Sequence, residues 1–147
     1  MSSPASLQIY LNSSSATVLN DAIKRNRMGM VINEPIRVPP GYEAHVSLVD
    51  AQIPNTWVTL QKYLLVRTNL KCRNQYTSGR FFGKIPVDVA QSYFINYVNF
   101  TNYQHPVSDQ EFSFIEIGIY NEDGSDVSLG TGYDWSCTIQ INSVKLI

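Results

Sequence analysis

Phe112-Ser113-Phe114-Ile115-Glu116-Ile117-Gly118-Ile119-Tyr120 is the stretch on which the fold turns. Ile115, Ile117 and Ile119 recur at every second residue, with Phe114, Glu116 and Tyr120 on the other side. A period of two sends alternate side chains to opposite faces of an extended chain, so this segment predicts a strand with one buried face. Asn121-Glu122-Asp123-Gly124 follows as a turn signal, and Asp123-Gly124-Ser125-Asp126 lacks the further acidic positions of a calcium loop. Residues 134–142 repeat the alternation, with Trp135, Cys137, Ile139 and Ile141 inward and Ser136, Thr138 and Gln140 outward.

Working outward, the same signature recurs upstream. Residues 7–11 form a first expected strand, closed by Asn12-Ser13-Ser14-Ser15. Residues 16–24 predict either a helical turn or a long loop. A strand over 30–38 must stop at Pro39-Pro40-Gly41, which no ladder accommodates. Residues 42–51 follow, with Ala44, Val46, Leu48 and conceivably Asp50 on one face, and Ile53-Pro54-Asn55-Thr56-Trp57 is expected to break that strand. Over 63–72, Leu64, Val66, Thr68, Leu70 and Cys72 share a face, opposite Arg67, Asn69 and Lys71. Residues 79–83 and 85–89 form one weaker strand, interrupted by Pro86, which predicts a sheet edge or bulge. Residues 92–99 form a further strand, and 101–110 a loop. About eight strands without a convincing helix predict an all-β, two-sheet sandwich of jelly-roll or related Greek-key type, in one domain over 1–147 with 1–6 as a flexible arm. No Cys–Trp–Cys spacing supports an immunoglobulin-like alternative.

Length and composition agree with that class. The 147 residues suffice for one core, and 44% hydrophobic with 16% charged residues is globular rather than disordered. A net charge of −1 argues against a dedicated nucleic-acid protein, and no apolar run reaches transmembrane length. Met1-Ser2-Ser3-Pro4-Ala5-Ser6 lacks the basic and apolar regions of a secretory signal, which predicts a reducing compartment. Cys72 and Cys137 then read as buried thiols, and the sequons at Asn12 and Asn99 as unused.

Catalytic patterns are missing. His45 and His105 lack ligand-spaced neighbours, so no metal or other cofactor is expected. No serine lies in GxSxG, and Gly130-Thr131-Gly132 precedes a strand rather than a phosphate-binding helix. Glu116 with Asp50 or Asp88 is the one carboxylate pairing to weigh for glycoside hydrolysis. The chain therefore reads as a non-enzyme without a small-molecule substrate. Lys24-Arg25-Asn26-Arg27 is a basic cluster, either a solvated loop or a contact for an acidic neighbour. Phe81, Phe82, Tyr93, Phe94, Tyr97, Phe100, Tyr103, Phe112 and Phe114 are too many for one small interior, and alternation sends roughly half outward. Exposed apolar patches of that kind mark subunit contacts, with Tyr93, Tyr97 and Tyr103 as candidate interface or ligand aromatics.

Leu7-Gln8-Ile9-Tyr10-Leu11-Asn12-Ser13, then Met30-Val31-Ile32-Asn33-Glu34-Pro35-Ile36-Arg37-Val38-Pro39-Pro40-Gly41, then Val46-Ser47-Leu48-Val49-Asp50-Ala51-Gln52-Ile53-Pro54-Asn55-Thr56-Trp57 together carry a resemblance. With the last hairpin, they make the chain similar to the penton or minor capsid proteins of tailless double-stranded DNA viruses: virophages, polinton-like viruses and giant-virus relatives. The resemblance spans most of the chain, although its motifs are short and nothing has room for the extra outer domain that such pentons often carry. It implies an upright jelly-roll of two four-stranded sheets, with Ile53, Pro54, Asn55 and Trp57 as the structural corner. It further implies a homopentamer at an icosahedral vertex, contacts with major and other minor capsid proteins, and a place in the virion after synthesis in the host cytoplasm or viral factory. Competing expectations are a carbohydrate-binding module using Tyr10, Tyr93, Tyr97 and Tyr103, and a trimeric cytokine-like ligand, which the missing secretory segment weakens.

Overall fold

The computed structural model describes residues 6–19, 24–55, 62–72, 81–87, 94–100, 103–130 and 132–146. Among them the protein is all-β, with ten strands and no helix. The strands are β1 (Ser6–Asn12), β2 (Thr17–Val18), β3 (Arg27–Arg37), β4 (Tyr42–Pro54), β5 (Tyr63–Thr68), β6 (Phe81–Pro86), β7 (Phe94–Val98), β8 (His105–Val107), β9 (Glu111–Tyr120) and β10 (Ser136–Lys145). They form two antiparallel sheets. The first runs β1-β10-β4-β7, with β8 also paired to β4; the second runs β2-β3-β9-β5-β6.

The strand count exceeds the expected eight because two short pieces join long partners. β2 pairs Thr17 and Val18 with Gly29 and Met28, where a helical turn or loop was expected. β8 pairs with residues 44–46 of β4, inside the stretch expected to be all loop. Strands of two or three residues are too short to show a period, and a preformed neighbour selects them. The first strand also takes in Ser6, assigned by the sequence to a flexible arm.

Alternation predicts the interior well. Ile115, Ile117 and Ile119 of β9 are fully buried, as are Cys137 and Ile139 of β10, with Trp135 and Ile141 beside them. Leu64, Val66, Thr68 and Leu70 are buried as expected, whereas Cys72, reached by a single bridge to Val107, is only half-buried. Leu64, Val66, Leu70, Ile115, Ile117, Ile119, Trp135, Cys137, Ile139 and Ile141 with Ile9, Leu11, Ala44, Val46 and Leu48 belong to one cluster drawn from both sheets, compatible with a β-sandwich. β6 is the edge of its sheet, carries Pro86 at its end, and shifts register opposite Val66 and Arg67. Pro39-Pro40-Gly41 forms the expected turn, with the Tyr42 amide donating to the Pro39 carbonyl and Gly41 at φ 82°.

Two expectations about β4 are overturned. Asp50 does not continue the inward face of Ala44, Val46 and Leu48. In the ladder with β10, Leu48 faces Ile139 and Asp50 faces Thr138, so Val49 has no partner there and bulges. One extra residue reverses the alternation, and Ala51 and Ile53 enter the core instead. The strand also does not break at Ile53. It continues through Pro54, with Ile53 opposite Ile95 and Pro54 opposite Phe94. The β10 ladder ends at Gln52, so proline's missing N–H falls where β4 has a ladder on one side only.

Candidate functional site

The expected corner lies at the end of β4: Ile53, Pro54 and Asn55 are all buried. Trp57 lies outside the described residues, as do Tyr93 and Asp88. Tyr97 is opposite Ala51 on the inward side, half-buried against the core, and burial pushes its phenol up from the ordinary value. Tyr103 is 60% exposed and meets the His105 ring edge-on at 4.8 Å. The structure therefore turns Tyr97 and Tyr103 to different environments.

The basic cluster is met by carboxylates of its own chain. Lys24 Nζ lies 4.0 Å from Asp126, Arg25 Nη2 lies 2.6 Å from Asp134, and Arg27 Nη1 lies 4.0 Å from Glu116. Arg25 occupies the left-handed region at φ 54°, and its carbonyl accepts the Trp135 indole N–H at 2.9 Å. Asn26 between them is fully buried and donates to the Ile119 carbonyl and to Asp126. Lys24-Arg25-Asn26-Arg27 thus fastens β3 to the segments around β9 and β10. Glu116 and Asp50 stand on outward positions of different sheets with the core between them, so they do not flank a common cleft. His45 Nε2 is 2.8 Å from Glu43 Oε1, two residues away on the same face of β4. Among the described residues, no three His, Cys, Asp or Glu side chains gather as a metal site, and no helix is long and apolar enough to cross a membrane.

What remains outside is two broad sheet faces. On the first sheet, ladder pairing aligns Tyr10, Thr138, Asp50 and Val98 in one outward row, and Asn12, Ser136, Gln52 and Asn96 in the next. Beyond them, Gln140 Nε2 donates to Ser6 Oγ and Asn142 Oδ1, and Asn142 Nδ2 donates to Gln104. This face is largely amide and hydroxyl, bordered by exposed Tyr10, Phe94, Val98 and Tyr103. At its β7 end a tied turn presents Phe100, 91% exposed. Asn99 Nδ2 donates to the Tyr103 carbonyl, the Tyr103 amide donates back to Asn99 Oδ1, and the Asn99 amide donates to the carbonyl of bulged Val49.

The second sheet's outward face is built differently. Arg67 sits over the Tyr120 ring at 5.0 Å and Lys84 over the Tyr63 ring at 4.6 Å. Such cation–π contacts hold a charge against an apolar surface while leaving it accessible. Phe114 covers Gly29 so closely that a Cβ there would fall 2.4 Å from the ring, and Val31 opposite Phe114 is exposed. Sequence reasoning set Tyr120 and Arg67 on outward sides of their strands but did not join them, and it singled out neither Tyr63 nor Lys84, because Arg67 and Tyr120, or Lys84 and Tyr63, meet only through strand pairing. No family model matches this chain, and no curated protein matches it.

Proposed function

We propose that this chain is a structural virion subunit: a single jelly-roll of penton or minor capsid type that closes into a ring of five at an icosahedral vertex and binds major capsid neighbours. Setting aside the short β2 and β8, the eight longer strands pair first with last and inward from there: β1 with β10, β3 with β9, β4 with β7, β5 with β6. A long hairpin rolled on itself produces that nesting, with every pair antiparallel, and this supports the jelly-roll reading.

The observation that carries the assembly reading is the apolar surface left along the first sheet, with Phe100, Tyr10, Tyr103, Phe94 and Val98 all exposed. Soluble monomers seldom leave large side chains this open in one region, and subunit contacts use them. A closed ring needs a heterologous contact, in which one surface meets a different surface of the next copy. Burial would contribute about 25 cal/mol per Å² of apolar area before ordering costs. Native mass spectrometry of the purified chain should give a pentamer. A strictly monomeric chain at high concentration, absent from particles, overturns the reading.

The carbohydrate-binding alternative draws on the amide-rich first-sheet face beside Tyr10. Of its four candidate aromatics, Tyr97 faces the core, which leaves Tyr10 and Tyr103 exposed among the described residues. A glycan array without binding dismisses it.

A further inference from the structure

The two outward sheet faces carry opposite charge. In the described ladder rows of the first sheet, the outward carboxylates are Glu43 and Asp50, which contribute −2, and the His45 ring lies 2.8 Å from Glu43. In those of the second sheet the outward charged residues are Arg27, Arg37, Arg67 and Lys84 against Glu111 and Glu116, four cations and two carboxylates, a net of +2. We propose that the occupant of the first-sheet face is a second copy of this chain, seated through its second-sheet face, so that copies join head to tail. The proposal rests on the ring reading above and names the surfaces that make the ring.

Charge selects this pairing over its rivals. First sheet against first sheet, or second against second, would oppose like signs at a two-fold contact, whereas first against second joins unlike signs. Area is adequate too. Four strands at about 4.8 Å spacing and seven residues at about 3.3 Å each span roughly 450 Å² in projection. Side-chain relief and the Phe100 turn raise the accessible area toward the roughly 800 Å² per partner of a standard interface. Composition fits: the first face has few charges and an aromatic border, and the second holds its cations flat on Tyr63 and Tyr120. An arginine or lysine already lying on a ring loses little freedom when a partner covers it.

The test is a charge swap with full-length chains. Glu43→Lys/Asp50→Lys reverses one face, and Arg67→Glu/Lys84→Glu reverses the other. Each variant alone should keep the wild-type circular dichroism spectrum and melting transition while associating at least about tenfold more weakly by sedimentation velocity at low salt. Mixed in equal amounts, the two should associate again into alternating pairs and open chains, because the reversed first-sheet face meets the reversed second-sheet face, although five alternating copies cannot close a ring. A folded variant that assembles as wild type overturns the proposal, as does a mixture of two folded variants that fails to recover. If wild type forms pentamers in either case, the ring reading survives and these surfaces are wrong. If wild type stays monomeric at high concentration, the ring reading itself falls. Should a double variant misfold, Asp50→Asn and Arg67→Gln read the same loss at smaller amplitude.

Discussion

Asp134 sits where several hydrogen-bonding groups converge. Its carboxylate accepts the Ser13 hydroxyl at 2.9 Å and the Arg25 guanidinium at 2.6 Å, while Ser13 Oγ also accepts the Trp135 amide. The Ser13 hydrogen bond foremost, with Arg25 behind it, holds this carboxyl below the usual carboxylate value against the opposing effect of burial. A folded-state value below the unfolded one means the stabilisation is present above the ordinary carboxylate pKa of about 4 and is lost as pH falls through the depressed value. Urea midpoints from pH 7 to 2 should therefore fall more steeply for wild type than for Asp134→Asn below about pH 4; superimposable acid limbs would refute this. Cys72 makes a second prediction at this scale. Burial, with Asp109 nearby, pushes its thiol up to about 11, and burial raises Cys137 as well. At pH 8 the thiolate fraction of Cys72 should be roughly a hundredfold below that of an ordinary thiol. Ellman's reagent should react slowly with the native chain and rapidly in guanidinium, and a fast native thiol would contradict the raised Cys72 thiol and the burial of Cys137.

At the scale of elements, β4 organises the first sheet. It pairs with β10 on one side and with β7 and β8 on the other, and the Val49 bulge lets its two halves bury opposite parities. Deleting Val49 would restore strict alternation, moving Ala51 and Ile53 outward and Gln52 inward. We expect the deletion to abolish cooperative unfolding as followed by circular dichroism; a deletion variant with a native-like melting transition would mean the bulge is dispensable. The bulge also supplies the carbonyl that anchors Asn99, so it fixes the base of the Phe100 turn. A backbone irregularity in a central strand thereby positions an exposed aromatic residue.

For the whole molecule, the question is what the exterior is for. Phe100 contributes little to the subunit's own core, being 91% exposed. Phe100→Ser should leave the melting temperature of the isolated subunit within a degree or two, since exposed substitutions usually change stability by less than about 0.5 kcal/mol. Under the assembly reading it should weaken association. Differential scanning calorimetry and native mass spectrometry separate the effects: lost stability would show that Phe100 packs within the subunit, and unchanged assembly would remove it from the interface.

The amino-acid sequence by itself determined the longer strands and most of the side chains that go inside them, because period-two alternation depends only on the geometry of an extended chain. Ile115, Ile117, Ile119, Cys137, Ile139 and Ile141 were legible for that reason, as was the edge character of the strand ending at Pro86. Only the tertiary structure decided the strand partners, the phase change at Val49, the short β8, and the meeting of Arg67 with Tyr120 and Arg25 with Asp134. Such contacts join residues far apart in the chain through hydrogen-bonded ladders. Pairing a distant strand is a competition among all available edges, and no local pattern records which edge wins.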